Sequence, residues 1–377
     1  MKPTLAFVFL GAATLTGCGP KKMALNPRDV ANVTVRPRSG QPLFCPGDAF
    51  QVEVVTKMSD GSSCSNVDDK RQCLGDDGRI IDPTLLRLRG NQGQEVERFV
   101  WRAPEDPLQT AGTGLRLEAW VEGPVEDGPP EKSLVGVTDL QPVYQCQMRR
   151  VFVAPPQRGF QGQSGLAGPE LRVAVTSLST PYYPNAALIR VENAGQRFYM
   201  VSPSADRPVE IVTQGQAGAP GAPGRAGVAG AASQAQAPAE ACAQGARGNA
   251  GGPGQPGGPG GRGGDGGLVR ITFDAAAVDQ LRGRVLISSL PGAGGRGGYG
   301  GAGGPGGAGG PGGPTDPKQC PDENRGQQGP RGARGAAGPN GSPGQARTPI
   351  SEQLPRQSLF GTELPAIQQI EATPAKG

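Results

Sequence analysis

The chain has no histidine among its 377 residues, and aromatic residues make up only 5% of it. Without histidine, neither a Ser-His-Asp triad nor a Cys-His pair can form, and the His-Glu-x-x-His zinc motif is absent. The sequence also has no Gly-x-x-x-x-Gly-Lys-Ser/Thr loop for binding phosphate. We therefore predict a non-enzymatic protein with no cofactor and no metal site.

Long apolar segments are also missing, because no run of apolar residues approaches the roughly 20 that a membrane-spanning helix requires. The net charge of +4 is modest, so it does not indicate a nucleic-acid-binding protein. Glycine (64 residues) and proline (39 residues) are in excess, and most of the glycine lies in residues 215–344. Residues 33–213 instead have the composition of an ordinary β-rich protein.

The first residues have the features of an export signal. Lys2 is followed by the short apolar run Leu5–Leu15 and by two small residues before Cys18, an order typical of a secretory signal peptide. The sequence Leu15-Thr16-Gly17-Cys18 resembles the lipobox of bacterial lipoproteins. This resemblance implies cleavage before Cys18 and acyl chains, palmitate among them, that anchor that cysteine to a membrane. The alternative is an ordinary signal peptide with a chance cysteine.

The residue after the cysteine bears on location. In lipoproteins an Asp at this position commonly retains the protein at the inner membrane, whereas here Gly19 follows Cys18. The resemblance therefore implies a lipid-anchored outer-membrane protein of the cell envelope, and it leaves open which membrane face the protein occupies. Residues 1–17 are then the signal peptide, and residues 18–32 are a tether.

Six cysteines remain once Cys18 is assigned to the lipid anchor. The periplasm is oxidising, so an even number of cysteines in an exported chain favours disulfides. We predict the disulfide Cys45–Cys146 because these cysteines lie near the two ends of one domain, and Cys64–Cys73 because these lie in one loop. We predict Cys242–Cys320 because these cysteines lie in two connectors that are expected to meet.

Residues 33–147 are predicted to form an Ig-like β-sandwich. Apolar and polar residues alternate from Phe50 to Val54 and from Leu115 to Glu122, a period that is typical of half-buried antiparallel strands. Turn sequences, including residues 127–130, separate the strands. The further predicted strands are Val33–Arg36, Leu85–Arg89, Val96–Trp101 and Ser133–Val137.

Residues 148–214 are predicted to form a second β domain. Glu192-Asn193-Ala194-Gly195 is typical of a hairpin turn between two of its strands. Residues 155–168, which are rich in glycine, proline and glutamine, are predicted to be a linker or a long loop. The candidate strands are Arg150–Ala154, Leu171–Ser177, Ala187–Glu192, Gln196–Val201 and Val209–Thr213.

Residues 215–344 carry glycine at every third position in four repeats. A polyproline II helix has three residues per turn, so this period places glycine along one side, where another backbone can approach closely. Such a chain can form a bundle of antiparallel polyproline II or polyglycine II helices, a collagen trimer, or a disordered segment. The first to fourth repeats are Gly215–Gly230, Gly245–Gly266, Gly292–Gly313 and Gly326–Gly344.

The bundle is favoured because the repeats have similar lengths, about 50–70 Å at roughly 3.1 Å per residue. The second and third repeats also have long stretches with glycine at two of every three positions. An up-and-down path brings the connectors 231–244 and 314–325, which contain Cys242 and Cys320, to the same end. Such a bundle resembles the springtail antifreeze proteins and the glycine-rich tips of some phage adhesins.

The β insert 267–291 falls at the opposite end of this predicted bundle. Its strands, Leu268–Phe273 and Val285–Leu290, are expected to pair with Val209–Thr213 and so attach the bundle to the second β domain. The C-terminal tail, residues 345–377, returns to the same end. It is expected to dock there through Leu359, Phe360 and Leu364.

Six arginines in the repeats are opposed only by Asp265. Side chains between the glycines point outward from a bundle, so these arginines are candidates for binding an anionic polysaccharide or lipopolysaccharide; the simpler interpretation is that they confer solubility. Residues 260–265 match the core of the calcium-binding nonapeptide of RTX proteins, but one copy does not suffice for that β-roll. The arginines are Arg225, Arg247, Arg262, Arg296, Arg331 and Arg334.

The order of lipobox, β domains and glycine repeats resembles the predicted glycine-rich, collagen-like lipoproteins of large-genome Gram-negative bacteria such as myxobacteria. The resemblance implies a location rather than an activity. We predict a monomeric structural or adhesive envelope protein, held to the membrane by its lipid anchor, that binds polysaccharide or another envelope protein. The alternative is an accessory subunit of an envelope complex for motility, secretion or export.

Overall fold

The computed structural model describes residues 22–23, 26–67, 80–81, 83–125, 128–156, 159–319 and 324–374. The predicted signal peptide and Cys18 lie outside the described residues. The protein is mainly β, and no helix in the described ranges is long and apolar enough to cross a membrane. The chain divides into two compact units, one that ends at Val143 and one that begins at Tyr144.

The first unit contains two five-stranded sheets. One has the strand order β11-β10-β12-β3, with β7 also paired to β10, and the other has the order β2-β4-β9-β8, with β5 also paired to β4. The strands β1 and β6 form a separate parallel pair. The strands are β1 Lys22–Met23, β2 Val30–Pro37, β3 Leu43–Phe44, β4 Ala49–Met58, β5 Ser63–Ser65, β6 Ile80–Ile81, β7 Leu86–Gly90, β8 Gln94–Glu97, β9 Val100–Arg102, β10 Leu115–Val125, β11 Gly128–Lys132 and β12 Gly136–Pro142.

One hydrophobic core draws side chains from both sheets of the first unit. Val52 and Val54 of β4 are fully buried, as are Leu115 and Leu117 of β10. Each such side chain stabilises the fold by about 1.5–3 kcal/mol when it is removed from water. The alternating pattern in these two segments therefore predicted the strands and their buried faces correctly.

Several predictions in this unit were wrong in detail. Only Gly136 and Val137 of the predicted strand Ser133–Val137 lie in a strand, β12, and the last three residues of the predicted tether, 30–32, begin β2. The predicted strand Val96–Trp101 is two strands, because Phe99 has a φ of 59°, which interrupts an extended chain. The predicted turn at residues 127–130 overlaps β11, which pairs with β10. β11 lies at the edge of its sheet, where proline is tolerated because no partner needs its missing N–H.

The second unit contains a three-stranded parallel sheet, β13-β17-β19, and a five-stranded mixed sheet, β16-β15-β14-β18-β20. The predicted hairpin turn is confirmed, because Ala194 and Gly195 have φ values of 49° and 82° between β15 and β16. The elements are β13 Arg149–Val153, β14 Leu171–Leu178, β15 Ala186–Asn193, β16 Gln196–Ser202, β17 Val209–Gln214, β18 Val269–Asp274, α1 Val278–Leu281, β19 Val285–Leu290, β20 Ile350–Leu354, α2 Arg356–Phe360 and α3 Leu364–Glu371.

Chain direction decides which strands share a sheet in the second unit. Three strands lead into a glycine-rich segment, and they form the parallel sheet: β13, β17 and β19. Three strands follow a glycine-rich segment, and they are parallel neighbours in the other sheet: β14, β18 and β20. The expected pairing of three strands is therefore only partly correct. β17 pairs with β19, but β18 belongs to the second sheet.

The four glycine repeats lie side by side and are joined by backbone hydrogen bonds at every third residue. The amides of Gly295 and Gly298 in the third repeat donate to the carbonyls of Gly261 and Gly258 in the second, at 2.8 and 2.9 Å. The acceptor number falls as the donor number rises, so these repeats are antiparallel. The first and second repeats are joined in the same antiparallel way, as are the third and fourth. The other two contacts are parallel: amides of the first repeat donate to the third, and amides of the second repeat donate to the fourth.

Residues 159–168, which were predicted to be a linker or a long loop, contain no helix or strand but form a further repeat. Gly159, Gly162, Gly165 and Gly168 continue the period of three. The amides of Gly165 and Gly168 each donate to carbonyls of the second repeat at 2.8 Å, and the amide of Gln216 in the first repeat donates to the carbonyl of Leu166 at 2.9 Å. We call this segment the short repeat.

The C-terminal tail packs on the five-stranded sheet of this unit. β20 pairs with β18, Leu359 and Phe360 are buried, and Leu364 is half-buried. The expected docking through Leu359 and Phe360 is confirmed. The guanidinium of Arg190 on β15 lies over the Phe360 ring, 5.0 Å from its centre.

The disulfide Cys45–Cys146 is formed, as predicted. Cys64 and Cys242 are each disulfide-bonded too. Their predicted partners, Cys73 and Cys320, lie outside the described residues.

Candidate functional site

The third repeat is enclosed on three sides by other repeats. A Cβ on Gly298 would overlap the carbonyl of Ala222 in the first repeat, and a Cβ on Gly300 would overlap the carbonyl of Gly335 in the fourth. The amides of Gly298 and its equivalents bond to the second repeat. Only the remaining position of each triplet can carry a side chain, and those residues are exposed: Ala293, Arg296, Tyr299, Ala302, Pro305, Ala308 and Pro311.

Side chains of the fourth repeat lie beside this exposed row. The Nε of Arg331 donates to the carbonyl of Gly303 at 3.0 Å, and the Nε2 of Gln328 donates to that of Gly306 at 2.9 Å. The Nε of Arg334 lies 3.5 Å from the carbonyl of Gly300, and Asn340 accepts from the amide of Gly297. We call the exposed row of the third repeat, together with Gln328, Arg331, Arg334 and Asn340, the outer face.

The six predicted arginines are all exposed, but the structure divides them between two sides. Arg296, Arg331 and Arg334 belong to the outer face. Arg247 and Arg262 are in the second repeat, which contributes no residue to the outer face. Arg225 is in the first repeat, three residues before Val228, and residues three apart have the same orientation in a threefold helix. Val228 lies against Gly252 of the second repeat, so Arg225 is on that side and not on the outer face.

The outer face contains no acidic residue. Asp265, the one acid of the repeats, pairs with Arg262 at 2.7 Å and with Arg347 at 3.8 Å, and it accepts the amide of Gln345 at 2.9 Å. This carboxylate therefore links the second repeat to the chain after the fourth. Within the ranges that the structure describes, no group of three or more acidic or cysteine residues has the arrangement of a metal site.

Sequence reasoning missed Tyr299 as part of this site. Tyr299 is 73% exposed, and it lies one residue from Gly300, the residue whose carbonyl Arg334 approaches. The available signal was an aromatic side chain in a row that otherwise contains alanine, proline and Arg296. An exposed aromatic ring next to guanidinium groups can bind an apolar surface and an anion together.

Comparisons with protein-family models, with curated protein sequences and with solved structures find no match for this chain. The chemistry of the outer face therefore has to be inferred from its own residues.

Proposed function

We propose that this protein is a non-enzymatic, lipid-anchored envelope protein that binds an anionic polysaccharide through the outer face. The observation that carries the proposal is the grouping of Arg296, Arg331 and Arg334 with the exposed ring of Tyr299, and with no carboxylate, on a backbone array held by hydrogen bonds.

We infer that this array is a polyglycine II-type bundle. Hydrogen bonds between neighbouring segments recur at every third residue, and three residues make one turn of a polyproline II helix. The first unit is inferred to be Ig-like, supported by two five-stranded sheets that share one core.

The residues of the outer face suit an acidic sugar polymer. A guanidinium group forms paired hydrogen bonds with a carboxylate, and an aromatic side chain with a polar tip can contact the apolar side of a sugar ring. The triplet period spaces equivalent side chains by about 9 Å, which favours a ligand that is itself extended and repetitive. A rigid array also loses little conformational entropy on binding.

The test is binding of polygalacturonate to the full chain in detergent, measured by calorimetry at low and moderate salt. The double variant Arg296→Gln/Arg334→Gln is expected to bind about tenfold more weakly, equivalent to about 1.4 kcal/mol. Binding by the unmodified protein is expected to weaken as salt rises.

The matched control is Arg225→Gln/Arg247→Gln, which removes the same charge from repeat residues that are not on the outer face. It is expected to bind as the unmodified protein does. Equal losses in both double variants would contradict a site on the outer face. An absence of binding, with an envelope protein instead co-purifying in fixed ratio, would favour an accessory subunit.

A further inference from the structure

A cavity of about 200 Å³ lies in the second unit, away from the repeats. It is bordered by the end of β14, the residues before β15, the α1 region and α3. It is open to solvent, because Ser179, Asn185 and Gln280 on its border are exposed, and it has room for one small organic molecule. The polar residues that line it are Ser177, Ser179, Asn185, Gln280, Arg284 and Glu371.

Arg284 is the unusual residue in this wall. It is only 9% exposed, and its one hydrogen bond is from Nη2 to the backbone carbonyl of Asn185, at 2.7 Å. Its Nε and Nη1 are buried without a hydrogen-bond partner. Burial lowers the pKa of this guanidinium, and the charge of Asp206 opposes that effect only in part.

An unpaired guanidinium in such a position needs an explanation, because removing a charge from water without a partner is costly. Glu371 does not provide one, since its carboxylate accepts hydrogen bonds from Arg356 at 2.7 and 3.2 Å. Other polar groups of the cavity remain available, because the side chains of Ser177, Ser179, Asn185 and Gln280 form no hydrogen bond in the described structure.

We propose that this cavity binds a small hydroxylated monocarboxylate, with its carboxylate paired to Arg284. Charge-assisted hydrogen bonds to guanidinium are the strong kind, and the hydroxyl and amide side chains would bind the ligand's hydroxyl groups. A single negative charge fits better than the double charge of phosphate, because Glu371 also borders the cavity. This site is independent of the outer face and of the polysaccharide proposal.

The experiment is calorimetric titration of the full chain in detergent with glycerate, and with glycerol as the uncharged ligand of equal carbon number. Glycerate is expected to bind at one site per chain, and glycerol is not. Arg284→Gln is expected to weaken glycerate binding at least about tenfold, whereas Arg282→Gln, which removes an exposed charge two residues away, is expected to leave it unchanged.

The comparison of the two ligands needs no variant, so it remains decisive even if Arg284→Gln does not fold. No saturable binding of glycerate, or equal binding of glycerol, would overturn the proposal. So would an Arg284→Gln protein that unfolds at the usual temperature and binds glycerate with the usual affinity.

Discussion

At the scale of single residues, a second glycine in a triplet marks a position where a neighbouring segment leaves little room for a side chain. The third repeat has two glycines in every triplet and is enclosed by three other repeats. The second repeat has a second glycine at Gly252, Gly258, Gly261 and Gly264. A Cβ on Gly261 or Gly264 would overlap the backbone of the short repeat, whereas a Cβ on Gly252 or Gly258 would come closest to the first repeat. The equivalent positions Gln255 and Asn249 carry side chains.

Gly300→Ala tests this relation directly. The added Cβ would overlap the carbonyl of Gly335, so the two repeats must separate and their hydrogen bonds lengthen. The free energy of unfolding is expected to fall by about 2 kcal/mol, as for other overpacked sites, in chemical denaturation of the full chain.

The matched control is Gly283→Ala, the same substitution at a glycine where an added Cβ meets no atom within 4 Å. Its stability is expected to stay within about 0.5 kcal/mol of the unmodified protein. Equal stability of the two variants would contradict the tight packing of the third repeat.

At the scale of elements, the C-terminal tail is attached to the sheet by the carboxylate of Glu363, whose side chain is 10% exposed. Its oxygens lie 2.8 Å from Arg197 and 3.2 Å from Arg190, and the hydroxyl of Tyr199 donates to it at 2.9 Å. Burial acts to raise the pKa of Glu363, but hydrogen bonds from Thr362 and Tyr199 and the charge of Arg190 lower it overall.

This attachment predicts a pH dependence at alkaline pH. Burial first, and then the hydrogen bond to Glu363, raise the pKa of Tyr199 from 10 to about 12. The folded protein therefore holds this proton more tightly than the unfolded chain does. The contribution of Tyr199 to stability is complete below pH 10 and is lost as the pH rises to about 12.

Thermal unfolding of Tyr199→Phe is expected to show the effect. Between pH 10 and 12 the melting temperature of the variant should fall less steeply than that of the unmodified protein, because the variant lacks the titrating phenol. Tyr299→Phe, at a residue that is 73% exposed, is the control and should keep the original slope. Parallel curves for all three proteins would contradict the role of Tyr199.

The elements that sequence reasoning found are those with a pattern of their own. The alternation in β4 and β10 and the turn at Ala194-Gly195 are local signals, and they predicted the structure correctly. By contrast, all five residues of β20 are exposed, and this strand exists because it pairs with β18. The break at Phe99 is a backbone conformation that residue type does not specify. The short repeat did have a local signal, four glycines at a period of three.

At the scale of the whole molecule, pairs of glycine repeats connect the two sheets of the second unit. Parallel neighbours in a sheet cannot be joined by a tight hairpin and need a long connection, usually a helix. Here the chain between β17 and its parallel neighbour β19 includes the first and second repeats and β18, and the chain between β18 and β20 includes β19 and the third and fourth repeats. The arginines of the candidate site were identified from the sequence, but their division between two sides depends on this path.

The predicted lipid anchor is tested on the complete protein in a Gram-negative host. Cys18→Ser removes the only thiol that the lipobox resemblance assigns to acylation, so the protein is expected to move from the membrane fraction to the soluble periplasmic fraction. Thr16→Ser keeps a small residue beside the cleavage site and is expected to remain with the membrane. Retention of the Cys18→Ser protein in the membrane would contradict the anchor.

Each of the four repeats begins or ends at a strand of the second unit, so the number of triplets in a repeat determines how far it extends from that strand. One extra Gly-x-x triplet in each of the four repeats would move the far connectors outward by about 9 Å and would leave the strand register unchanged. An insertion of one or two residues would instead rotate the glycines out of their contacts. A change in the length of a repeat that preserves its contacts therefore adds or removes whole triplets, about 9 Å each.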